Sequence, residues 1–192
     1  REFYVAQASD EDLGRTLMDR LAEQIGEKGK IGIVSGESTA TNLNSWISWI
    51  ENSRKKIIRI LKLWISGSTQ GRSSEQALKQ AQELMTRYSD LKGLVAVASS
   101  TIPGVAQAVE QEGKAGEVAV IGYGSPETVK PFIDSGVMEE SIMWDAEALG
   151  YLSKEEAEKI KTGIRERLDS LRQGPFGDRR MAAKERIIEK GV

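Results

Sequence analysis

Cysteine and histidine are both absent from the 192 residues. Without cysteine there is no disulfide, no thiolate nucleophile and no thiolate metal site. Without histidine the commonest general base and the commonest transition-metal ligand are missing too. Hydrolysis by a serine–histidine–aspartate or cysteine–histidine arrangement is therefore excluded. Carboxylates, lysine, tyrosine and backbone amides remain, so their chemistry stays open, but a binding module needs none of the missing side chains. No catalytic residue, metal or cofactor is expected. An excess of positive charge is lacking as well: 27 Lys and Arg stand against 29 Asp and Glu, a net −2. That balance argues against a dedicated nucleic-acid binder. No stretch reaches the about 18 apolar residues of a membrane span. No charged head with an apolar stretch and a small-residue cleavage site opens the chain. Arg1-Glu2-Phe3-Tyr4-Val5 already reads as a strand, which points to a fragment or an engineered sequence.

What is present is an alternation. Five short apolar runs occur at Lys30–Val34, Ile60–Ile65, Leu94–Ala98, Val118–Gly122 and Ser141–Trp144. Nearly continuous Val, Ile and Ala suit strands covered on both faces, as in a parallel sheet. Between them, Leu13, Leu17, Met18 and Leu21 recur at helical spacing, as do Ala77, Leu78, Ala81, Leu84 and Met85. Strand and helix in alternation predict an α/β fold: a flavodoxin-like, doubly wound parallel sheet of five strands in the order 2-1-3-4-5. Ile57 to Ile65 carries interspersed Arg and Lys, so it fits an edge strand or the tail of the preceding helix.

The character changes after Trp144-Asp145. Ser153-Lys154-Glu155-Glu156 has the form of a capping box. Ile160, Ile164, Leu168 and Leu171 then line one face of a charged helix. Gly174-Pro175-Phe176-Gly177 breaks it, and Asp178 can cap a second helix through Ile187 and Ile188. The expected division is a lobe over 1–152 and a helical hairpin over 153–192.

In such sheets ligands bind beyond the carboxyl ends of the strands, where the strand order reverses. Position alone selects Ser35–Asn42, Ser99–Pro103, Tyr123–Pro126 and Trp144-Asp145. Hydroxyls and a glycine before a helix can cradle a phosphate, although Ser and Thr there are more often simple caps. Asp145 can accept two sugar hydroxyls while the Trp144 indole covers an apolar sugar face. Equally, Trp144 can fill the core and Asp145 cap a helix. Trp46 and Trp49, three apart, read as partial core burial. The charges of the C-terminal hairpin alternate in sign and read as a solvated face.

A resemblance runs through the same residues. Phe3–Asp10 with Leu13-Gly14, Thr41–Trp46, Ile102–Ala108, Val120–Pro126 with Val129–Pro131, and Met143–Asp145 with Leu149–Tyr151 follow one another. In order and spacing they resemble the C-terminal lobe of type I periplasmic binding proteins, closest to the rhamnose-binding and autoinducer-2-binding branch, over residues 3 to 152. The resemblance implies a non-catalytic lobe of a two-lobed receptor for ABC transport, periplasmic in the family, closing on a small sugar. It implies ligand contacts at Asn42, Leu43, Ala98, Ser99 and Asp145, beside Trp144. Autoinducer-binding relatives carry an Asp-Gln pair where this chain has Asn42-Leu43, which argues against that ligand. The other lobe is missing, residues 57–72 lack the usual Tyr-Pro-Asp turn, and no family pattern continues from Lys154. A designed or chimeric scaffold without ligand is the first alternative, and a flavodoxin-like phosphate or cofactor binder using Ser35 to Thr41 the second. Lobe surfaces around Phe3, Tyr123 and Trp144 are expected to be apolar enough to form a homodimer or to be covered by the hairpin.

Overall fold

The computed structural model describes residues 9–53, 58–64, 73–143, 158–159 and 161–162. The chain divides into two compact units, Ala8–Trp144, and Arg1–Gln7 with Asp145–Val192. Within the second unit residues 158–159 and 161–162 are helical. The expected capping box and the rest of the hairpin lie outside the described residues, as do residues 1–8.

The first unit opens with α1 (Asp10–Gln24), capped by Ser9, whose Oγ accepts from the Asp12 amide at 3.0 Å. Asp10, Glu11 and Asp12 place negative charge in its first turn, where the helix dipole favours it. The predicted stripe is the buried face: Leu13, Leu17, Met18 and Leu21 are all in the core. Each contributes about 2 kcal/mol by leaving water. Then follow β1 (Gly29–Ser35), α2 (Thr41–Ser53), β2 (Ile58–Trp64), α3 (Ser73–Arg87), β3 (Leu91–Ala96), α4 (Ile102–Gln111), β4 (Ala119–Gly122) and α5 (Pro126–Asp134).

All pairings are parallel, and the four strands lie in the order β2-β1-β3-β4. The segment from Ile57 to Ile65 that could be strand or helix tail contains β2, which lies at the sheet edge beside β1. The expected fifth strand is met only in part. Among the described residues its segment makes one isolated parallel bridge, Tyr123 to Ile142, with the Ile142 amide donating to Gly122 O at 3.0 Å. Among the described residues the sheet thus has four strands, with Ile142 bridged to the β4 edge and Trp144 outside the described residues.

Side-chain alternation along the strands sorts the core onto two faces. Ile31, Ile33, Val95, Val97, Ile121 and Tyr123 pack with α1 and α2. Val34, Leu94, Ala96 and Val120 pack with α3 and α4. Close helix contact on each face requires a missing side chain. A Cβ on Gly14 would lie 2.5 Å from Trp46 O, between α1 and α2. One on Gly104 would overlap the Ser74 carbonyl and sit 3.0 Å from the Leu78 amide nitrogen, between α4 and α3. Backbone atoms cannot yield as side-chain tips can. Gly104→Ala is expected to lower stability by about 2 kcal/mol, read as a reduced urea midpoint with an unchanged slope.

Candidate functional site at the carboxyl ends of the strands

The chain leaves β1 for α2 on one face of the sheet and leaves β3 for α4 on the other. The two connections diverge at the point where strand order reverses, the position at which sheets of this kind form their ligand crevice. Two of the predicted residues can be placed there from the neighbouring glycine. A Cβ on Gly36 would lie 3.0 Å from Leu43 Cδ1 and 3.5 Å from Ala98 Cβ. Leu43 and Ala98 thus converge where β1 ends, each half-buried. Asn42, in the first turn of α2, and Ser99, just past β3, are exposed at the same end of the sheet. Trp144 and Asp145 lie outside the described residues.

The loops around the crevice are held by short polar contacts. Asn44 Nδ2 donates to Ser38 O at 2.7 Å and ties the β1–α2 turn to its helix. Within that turn the Ala40 amide donates to Glu37 O at 3.1 Å. The buried Thr101 Oγ1 donates to Ala98 O at 2.7 Å, closing the turn that leads into α4. Ser141 Oγ donates to Gly122 O at 3.0 Å and fixes the chain beyond α5 against β4.

Beneath the crevice is a buried aromatic pair. The Trp46 and Tyr123 rings meet edge-on, 5.1 Å apart at 65°. Trp46 Nε1 donates to Asp10 Oδ1 at 2.7 Å, and the Tyr123 hydroxyl donates to Leu13 O at 2.8 Å. Each ring therefore buries its body and satisfies its polar end. Tyr123 corrects the expectation of an exposed apolar face around it. It is 2% exposed, because the fold turns it inward onto Trp46 and α1. Trp46 is buried and Trp49 half-buried under Arg15, 5.2 Å from the ring centroid.

Within the Ser35–Asn42 loop selected by position, one polar atom not among the predicted sugar contacts is Ser35 Oγ. Ser35 ends β1, is 1% exposed, and its hydroxyl has no hydrogen-bond partner. Such a group costs about 1–3 kcal/mol. The available signal was a lone hydroxyl closing an otherwise apolar run. A cleft of about 260 Å³ lies at the opposite, amino end of β3 and β4, among Gln24, Lys92, Glu117, Val118 and Glu139. None of the predicted ligand residues lines it. Among the described residues no helix is long and apolar enough to cross a membrane.

A profile of the periplasmic binding protein domain matches residues 1–163. The chain belongs to the periplasmic binding protein family. The D-ribose/D-allose-binding protein of Pseudomonas aeruginosa is 28% identical over 123 residues, 64% of this chain and 37% of that protein. The crystal structure of a sugar ABC transporter from Actinomyces odontolyticus shares 28% identity at a TM-score of 0.70. That match covers 79% of this chain and 49% of the other. A periplasmic solute-binding protein from Actinobacillus succinogenes with bound D-allose shares 25% identity at a TM-score of 0.68, over 78% and 52% of the two chains. The chain spans 37% of its curated relative and about half of each solved one. These family members are sugar receptors of ABC transport.

The aromatic pair gives the lobe a pH signature. Burial pushes the Tyr123 hydroxyl above the usual tyrosine range, whereas in the unfolded chain it ionises near about 10. The unfolded state therefore loses its proton first. The contribution is fully present below about pH 10 and falls above it, by at most about 1.4 kcal/mol per pH unit. Tyr123→Phe is expected to be less stable at neutral pH by about 1 kcal/mol, through the lost bond to Leu13 O. Its stability should also decline less between pH 10 and 11 than that of the parent, measured by urea unfolding across that range.

Proposed function

We propose that this chain is a non-catalytic sugar-binding lobe of an ABC-transporter solute receptor. The observation that carries the reading is the convergence of Leu43 and Ala98 at Gly36, at the switch point of a sheet belonging to this family. Asn42 and Ser99 flank that point and supply polar groups to it. Asp145 would accept ligand hydroxyls and Trp144 would cover an apolar ring face. The lobe is proposed to run over 1–152 with 153–192 as an added helical hairpin. The family match itself reaches residue 163 and so overlaps the start of that element. The Tyr123–Ile142 bridge supports a fifth strand beyond β4, which would complete the order 2-1-3-4-5.

The ligand class follows from the relatives, named for ribose and allose, and from Leu43, whose apolar side chain favours a sugar with an apolar patch over a highly polar one. A deoxyhexose such as rhamnose fits that description. One lobe leaves a ligand solvated on its other side, whereas tight sites bury most of the ligand surface. Closing on a ligand would need a second lobe, and without one affinity would stay low. A phosphate at the β1–α2 turn is less well supported. The Ala40 amide is already bonded to Glu37 O, and Glu37 adds an exposed carboxylate there.

Calorimetric titration with ribose, allose and rhamnose is expected to show saturable binding, with Kd on the order of millimolar for half a cleft. Asp145→Ala is expected to abolish it. Silence toward the whole panel at tens of millimolar sugar would favour a scaffold without ligand.

A further inference from the structure

Ser35 carries a buried, unpaired hydroxyl at the carboxyl end of the sheet. Its side chain is sealed from solvent, and its hydroxyl has neither donor nor acceptor within reach. Proteins retain few such groups, and those that persist at a crevice call for an outside partner. Alternation along β1 puts Ser35 on the face of Ile31 and Ile33, the face that also carries Val97, Tyr123 and Trp46. Before it in the strand, Ile31, Ile33 and Val34 are wholly buried hydrophobic residues. It is therefore the first polar side chain of β1 at the switch point.

The Gly36–Ala40 turn follows that end of the strand, and Leu43 Cδ1 reaches Gly36. Leu43 packs against Gly36, a residue without a side chain to hold it in place, and it is half-buried. On the helix side of the same turn, Asn44 Oδ1 is a second buried oxygen without a partner. In the chain the turn runs between two residues with unsatisfied oxygens, Ser35 of β1 and Asn44 of α2.

We infer that Ser35 is a further recognition residue of the sugar site proposed above, bonding one ligand hydroxyl when Leu43 and the turn move aside. The inference rests on that reading. A sugar hydroxyl both donates and accepts, so it can satisfy a serine in either sense. A site built to bond one hydroxyl discriminates against an analogue lacking it, because the buried group is again left unpaired.

The test uses the full chain and its Ser35→Ala and Ser35→Thr variants, titrated with the best-bound sugar and with its mono-deoxy analogues. Ser35→Ala is expected to melt no lower than the parent and to bind about tenfold more weakly. One mono-deoxy analogue should lose about tenfold against the parent and nothing further against Ser35→Ala, and Ser35→Thr should retain binding. Equal affinity of parent and Ser35→Ala across the whole set overturns the role of Ser35 and leaves the sugar reading intact. A lower melting temperature with lost binding that Ser35→Thr does not rescue marks a packing residue and also overturns it. A parent silent toward every sugar overturns both, and is recognised by the absence of any binding to compare.

Discussion

Everything in this lobe depends on strands whose two faces are both taken by helices. Once β1 and β3 are covered on each side, no polar side chain can leave the sheet through a face. Polar groups must then gather at the strand ends. The parallel direction makes the two ends unequal, since all carboxyl ends point one way and all loops into α2 and α4 start there. A binding crevice at that end is thus a consequence of burial and direction, before any particular side chain is considered.

The aromatic pair shows how burial and hydrogen bonding cooperate under the crevice. Trp46 and Tyr123 come from α2 and from the end of β4, and their polar ends reach Asp10 and Leu13 of α1. Three elements far apart in the chain are joined by two hydrogen bonds and one ring contact. That joint fixes the floor on which the loops sit. The small residues work to the same purpose: Gly14 lets α1 approach α2, and Gly104 lets α4 approach α3. The strand ends thus rest on a packed floor and carry the polar loops at their rim.

Much of this was legible from residue order. The stripe Leu13, Leu17, Met18 and Leu21 predicted α1 because helical periodicity and burial are the same fact seen twice. Four of the five apolar runs correspond to strands, and β2 proved to be the edge its Arg and Lys implied. Of the fifth run, the described residues Ser141–Met143 make one parallel bridge, and Trp144 lies outside them. Local propensity could place an extended segment there but not the number of residues that would pair. Tyr123 was misplaced for a related reason. An aromatic after a strand reads the same whether it faces solvent or turns onto a neighbour 77 positions earlier in the chain, as here onto Trp46.

By itself, the sequence determined the chemistry this chain cannot perform, the α/β alternation, and the ordered motifs that place it in its family. Those properties are local: they follow from residue type and from spacings of two to four positions. Tertiary structure alone decided that Leu43 and Ala98 meet at Gly36, that Tyr123 turns inward, and that Ser35 closes β1 with its hydroxyl unpaired. Each of these joins residues separated by tens of positions, or depends on what fails to come within hydrogen-bond reach. Spacing carries no information about either, because distances across a sheet are set by register and packing and not by chain order.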